Sequence, residues 1–121
     1  MTETGRKPRG RKRPEIGAIF QALADATRRQ MMERVSRGPV TVSELARPFA
    51  MTLAAGLQHV QALERSGLVR TEKQGRVRLV TMGEDGMAEL REWVEARRGA
   101  WDLRLDALGR MLEGAGENER R

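Results

Sequence analysis

Between Thr41 and Gly67 the chain carries two helix-start signals with a proline between them, and that arrangement leaves few folds open. Thr41-Val42-Ser43-Glu44 fits a capping box. In this motif the N-cap hydroxyl accepts from the N3 amide, and the N3 carboxylate accepts from the N-cap amide. Val40 and Leu45 fall where a hydrophobic staple would clamp the entry of the same helix. Pro48 cannot lie in a helix interior, so this helix is short. A few residues turn the chain. Thr52 then caps a longer helix predicted to run to about Ser66, with Gly67 as its stop.

The flanks complete the pattern. Ile16, Ile19, Phe20 and Leu23 recur at helical spacing and predict a first helix. Asp25 is an N-cap for a second, which runs to about Ser36 and is ended by Gly38-Pro39. Beyond Gly67, two alternating runs, Leu68 to Glu72 and Val77 to Val80, enclose Lys73-Gln74-Gly75-Arg76. They read as a β-hairpin with Gly75 in the turn. After Gly83 and Gly86 comes a long helical stripe through Met87, Leu90, Val94, Trp101, Leu105, Leu108 and Leu112, interrupted by Arg97 and Arg98. Its spacing near 3.5 residues is that of helices pairing along a seam.

The expected order is helix, helix, short helix, helix, strand, strand, long helix. That is a mainly α chain with a small β-hairpin, a winged helix-turn-helix. Residues 1–14 are expected to be a disordered basic arm, 15–112 the folded domain with a terminal pairing helix, and 113–121 a flexible tail.

Charge placement supports a polyanionic partner. Residues 1–14 hold six Lys/Arg against Glu3, and residues 25–82 hold ten Lys/Arg against five Asp/Glu. Residues 83–121 reverse the sign, with seven against ten. A basic arm and middle beside an acidic terminal segment fit nucleic acid facing one part of the molecule, although a solvated surface with a basic tail has the same composition. No stretch approaches the roughly 18 apolar residues of a membrane span, and the basic start lacks the apolar region of a secretory signal. There is no cysteine and His59 is the only histidine, which removes disulfides, thiolate chemistry and ordinary zinc ligand sets. No nucleophile–base constellation or phosphate loop stands out. Neither an enzyme nor a bound metal or cofactor is expected.

Residues 16–82 resemble the ArsR family of bacterial regulators. The resemblance is carried by Phe20-Gln21-Ala22-Leu23-Ala24-Asp25-Ala26-Thr27-Arg28-Arg29, by Thr41-Val42-Ser43-Glu44-Leu45-Ala46, and by Leu63-Glu64-Arg65-Ser66-Gly67-Leu68-Val69. The stretch from Trp101 to Leu108 is similar to the last helix of a metal-independent branch. The resemblance implies a cytoplasmic homodimer, associated with the bacterial nucleoid and built through first and last helices. It also implies binding to operator DNA and, usually, repression. The thiol motif of the metal-sensing members is absent, since Glu44-Leu45-Ala46-Arg47 stands in its place, so metal sensing is not carried over. Members similar to this chain usually read Val-Ser-Lys-His-Leu on the recognition helix. Here Gly56-Leu57-Gln58-His59-Val60 stands there, and Gly56 costs about 1 kcal/mol of helix propensity.

On the helix after Thr52, positions 54, 58, 61 and 65 share a face. Ala54, Gln58, Gln61 and Arg65 are therefore the expected DNA-facing residues, with Leu53, Leu57, Val60 and Leu63 offered to the core. Glutamine can read an adenine edge, and alanine a thymine methyl. Thr52, at the helix N-terminus, suits a phosphate. His59 flanks this face. Lys73, Arg76 and Arg78 form the basic wing. Arg28 and Arg29 would either bind phosphate or brace the protein itself. In the arm, Pro8-Arg9-Gly10-Arg11 partly matches an AT-hook, with Arg9 and Arg11 as minor-groove cations and Lys12 where that motif has proline; a nonspecific polycation tail is the favoured reading of the same residues. Ile16, Ile19, Phe20, Leu23, Val94, Trp101, Leu105 and Leu108 are the expected dimer residues. Two further readings stay open: an architectural binder driven by the arm, and a heterodimer partner of another regulator.

Overall fold

A computed structural model describes residues 13–120, with side chains as far as residue 116. The helices are α1 (Ile16–Leu23), α2 (Ala26–Val35), α3 (Val42–Ala46), α4 (Leu53–Arg65) and α5 (Glu84–Arg120). The strands are β1 (Val40–Thr41), β2 (Val69–Gln74) and β3 (Val77–Met82), and a 3₁₀ turn, Arg47–Phe49, follows α3. The sheet is antiparallel in the order β1-β3-β2. With the helix-turn-helix of α3 and α4, this makes a winged helix-turn-helix.

The start signals work as the sequence implies. Asp25 accepts from the Arg28 amide at 2.9 Å, and Thr52 Oγ1 accepts from the Ala55 amide at 3.0 Å. At α3 both halves of the capping box form, Glu44 N to Thr41 Oγ1 at 3.1 Å and Thr41 N to Glu44 Oε1 at 3.2 Å. The Thr41 amide and hydroxyl hold the Glu44 carboxyl below its usual range. Pro48 falls in the 3₁₀ turn, where the missing amide is tolerated.

Gly67 ends α4 as a Schellman cap. Its φ is +77°, its amide reaches the Glu64 carbonyl at 2.9 Å, and the Leu68 amide reaches Leu63 at 3.0 Å. That reversal turns the chain directly into the hairpin.

Three elements differ from the sequence expectation. Val40 and Thr41 form a short strand in addition to the Thr41 cap, because Val40 pairs with Val80 and Thr41 with Leu79. The hairpin turn is tighter, since Gln74 pairs with Val77 and leaves only Gly75-Arg76 at the tip. The last helix begins at Glu84, with Glu84 and Asp85 in its first turn where its dipole favours acids. It continues to Arg120, past the end expected at Leu112.

The core gathers one side of every element of the first compact unit, which ends at Leu90. Ile19, Met31, Leu45, Leu63, Leu68 and Val80 are wholly enclosed. Met87 and Leu90 pack against this core from the start of α5. A second unit begins at Arg91, and its described residues, 91–120, are all helix. There Arg97 lies 4.3 Å from the Trp93 ring centroid, and Arg98 pairs with Glu95 at 3.5 Å.

Candidate nucleic-acid interface

The helical repeat of α4 fixes which side chains face out. Gly56, Val60 and Leu63 are its buried residues, one stripe turned to the core. Ala54, Gln58, Gln61 and Arg65 lie opposite and all reach the surface, as 3.6-residue periodicity requires. Thr52 is exposed at the N-terminus, its hydroxyl already serving the Ala55 amide. The face thus offers two amides, one guanidinium, one methyl and the positive end of a helix.

Leu53 does not behave as its place in the repeat implies. It belongs to the core side, yet it is 58% exposed. It stands in the first turn, and burial of α4 begins only at Gly56. Leu57 is half-buried and packs at the core margin.

His59 turns away from the outward face toward the start of α2. Arg28 Nη1 donates to its Nδ1 at 3.3 Å, and Asp25 Oδ2 lies 3.9 Å from the same nitrogen. The Arg28 amide bond is the main cause of a lowered Asp25 pKa. Desolvation opposes it, and the Arg28 charge adds to it.

Arg28 and Arg29 serve the fold. Arg28 Nε donates to the Ala22 carbonyl at 2.7 Å and its Nη2 to Gln21 at 3.3 Å, while Arg29 Nη1 donates to Leu23 at 2.6 Å. These bonds go to three carbonyls of the last turn of α1, where helical partners run out; that of Gln21 also accepts from the Ala24 amide at 3.2 Å. The paired arginines of the Ala-Thr-Arg-Arg string therefore tie α1 to α2.

The wing residues Lys73, Arg76 and Arg78 are exposed. Arg78 is also tied back to α4: its Nη1 donates to Thr71 Oγ1 at 3.0 Å, and that hydroxyl donates to Glu64 Oε2 at 2.8 Å. The relay joins β3, β2 and the recognition helix. Sequence reading did not find it, because Thr71 and Glu64 look like ordinary surface residues until the sheet register is known.

Of the residues expected at a dimer surface, Phe20, Val94, Trp101, Leu105 and Leu108 are exposed, and Ile16 and Leu23 are partly buried. Ile19 has no exposed area and packs wholly into the protomer's own core. Arg9 and Arg11 lie outside the described residues.

Comparison with known proteins gives consistent results. A family profile described as a helix-turn-helix domain matches residues 23–72. The HTH-type transcriptional regulator Rv2034 of Mycobacterium tuberculosis is 32% identical over 99 residues, covering 82% of this chain and 90% of that protein. The crystal structure of an ArsR family transcriptional regulator, RHA00566, superposes with a TM-score of 0.67 at 46% identity, covering 72% of this chain and 96% of that one. Mb0332 from Mycobacterium bovis, described as a homodimeric winged helix-turn-helix DNA-binding domain, shares the fold at 24% identity. Its TM-score is 0.56, and the match covers 69% of this chain and 78% of that one.

Proposed function

Since the chain belongs to the ArsR family of helix-turn-helix transcriptional regulators, we propose that it is a homodimeric, cytoplasmic repressor that binds an inverted-repeat operator. The observation that carries this reading is the outward face of α4, with Ala54, Gln58, Gln61 and Arg65 all exposed among the described residues beyond a capped N-terminus.

In this mechanism α4 enters the major groove. Gln58 and Gln61 hydrogen-bond base edges, and Ala54 meets a methyl. The end of α4 at Thr52 and the side chain of Arg65 sit at phosphates, which fix register without carrying sequence. His59, at the flank of this face, steadies Arg28 and adds at most an edge contact. Lys73, Arg76 and Arg78 follow the backbone or enter the adjacent minor groove, and the relay through Thr71 holds the wing at a set height above α4. Arg9 and Arg11 of the arm add a salt-sensitive contribution by releasing counterions.

Pairing rests on the helices. Val94, Trp101, Leu105 and Leu108 form an exposed apolar seam in α5 at coiled-coil spacing, and Phe20 with its half-buried neighbours Ile16 and Leu23 is a second apolar patch, on α1. Mb0332 supports a homodimer by likeness of fold. Two copies of α4 about one helical turn apart would meet half-sites of an inverted repeat, and occupancy of such a site would block transcription.

Footprinting on the DNA upstream of its own gene tests the proposal, using full-length protein and protein lacking residues 1–14 at several salt concentrations. A symmetric protected site is expected, retained by the shortened protein with weaker affinity. Uniform protection that vanishes with the arm would support an architectural binder instead. Sedimentation of a Leu105→Glu/Leu108→Glu variant as a monomer with reduced operator affinity would support the seam; an unchanged dimer would remove it.

A further inference from the structure

The first turn of α4 and the start of β3 expose an apolar surface that the proposed base readers leave unused. Leu53 is 58% exposed and Val77 is 47% exposed, far more than either needs for packing. With Leu57, Ser43, Arg76 and Arg78 they line one shallow hollow of about 170 Å³. That is well below the roughly 300–1,000 Å³ of small-molecule pockets, yet ample for a single methyl group. Thr52 and Ala54 are the chain neighbours of Leu53, so the hollow continues the proposed interface, and the guanidinium-bearing Arg76 and Arg78 are among its lining.

A partner here must be apolar at its centre and anionic at its border. DNA offers one such feature in the major groove: the 5-methyl of thymine, the only apolar group among the base edges there. It projects on the backbone side of its base, next to a phosphate. We propose that Leu53, supported by Val77, reads a thymine methyl in each half-site, with Arg76 or Arg78 on the neighbouring phosphate. Leu53 is then a specificity-determining residue, and the chain selects thymine by apolar contact where its first recognition turn has no amide to offer. The inference rests on the operator-binding reading above.

The test uses full-length protein and a site defined by footprinting. Each thymine is replaced in turn by deoxyuridine, which removes the methyl and leaves base pairing intact, and affinity is followed by fluorescence anisotropy. Besides any thymine whose methyl meets Ala54, one thymine per half-site is expected to show a loss of about fourfold on losing its methyl, the worth of one buried methylene-sized group. In Leu53→Ala the same replacement is expected to change nothing, and Leu53→Met is expected to restore most of the discrimination. Circular dichroism confirms that the variants fold.

Site-specific binding that ignores every deoxyuridine would overturn the inference and leave the operator reading standing. So would a result in which every deoxyuridine penalty persists unchanged in Leu53→Ala, since each methyl would then be felt elsewhere, at Ala54 included. A Leu53→Ala loss equal on thymine and uracil sites would assign the side chain to the sugar face and overturn the inference as well. Absence of any preferred site would defeat both readings together.

Discussion

A Cβ built on Gly56 would lie 2.7 Å from the Cβ of Ala46. Real Cβ atoms do not approach so closely, and neither partner has a flexible end that could move aside. The crossing of α3 over α4 therefore requires a glycine at the end of the first turn of the recognition helix. The propensity cost of about 1 kcal/mol is offset by bringing the two helices into contact, with Ala46, Gly56 and Leu45 all buried.

Gly56→Ala is accordingly expected to destabilise the protein although it improves helix propensity. Overpacking costs about 1–3 kcal/mol, against a propensity gain of up to about 1 kcal/mol. A net loss of about 1 kcal/mol, or a few degrees in Tm, should appear in thermal and urea unfolding. Adding Ala46→Gly should make the pair less destabilising than the sum of the single changes. Additivity within a few tenths of a kcal/mol would show that the contact is not the cause.

Arg28→Lys is expected to lose stability while keeping charge. The guanidinium spans the carbonyls of Gln21 and Ala22 and reaches His59. An ammonium cannot reproduce that fork. Hydrogen bonds from charged donors are each worth about 1.5–3 kcal/mol, so a loss of about 2 kcal/mol is expected in denaturant titration. The salt dependence of DNA binding should not change. A reduced salt slope with unaltered stability would return Arg28 to the phosphate-binding group.

The helix starts at Asp25, Thr41 and Thr52 were legible because a cap is a local matter between a side chain and amides two or three residues away. The outward face of α4 was legible because one helix repeat fixes it. What escaped depends on distance along the chain. The strand at Val40 exists only because Val80 lies beside it. Periodicity points Leu53 inward, but it does not record that the first turn lies ahead of the covered part of α4. Ile19 reads as a dimer residue because an apolar side chain at helical spacing looks the same whether its own core or a second copy covers it. The need for Gly56 is visible only as a propensity penalty until Ala46 is found against it.

Acid should weaken the fold through two caps. Asp25 and Glu44 both titrate below their ordinary values in the folded chain, held down by the amides they cap. Near pH 4 the unfolded chain then binds more protons than the folded one, so stability rises with pH in that range. The contribution is complete above the ordinary carboxylate values of about 4 and is lost as pH falls through the lower folded values. Asp25→Asn keeps an N-cap acceptor that does not titrate. Its unfolding free energy is expected to fall less steeply below about pH 5 than that of the parent, whereas Asp25→Ala should be less stable at every pH. An acid limb of equal slope in parent and Asp25→Asn would show that Asp25 does not contribute to the acid response.

Base readers and phosphate binders should separate on salt and sequence. Gln58→Ala and Gln61→Ala are expected to weaken binding to the preferred site by about 1–3 kcal/mol each and to leave binding to unrelated DNA unchanged, because an amide on a base edge releases no counterions. Arg76→Ala is expected to weaken both alike and to lower the slope of log affinity against log salt by about 0.9 for each phosphate left without its cation. Arg78→Ala should do the same and also loosen the wing, since it removes the donor to Thr71 and with it the link to Glu64. Thr71→Val cuts that link without touching a charge. If it lowers affinity with no change in salt slope, the relay positions the wing; if affinity is unaltered, Arg78 acts through its own phosphate alone.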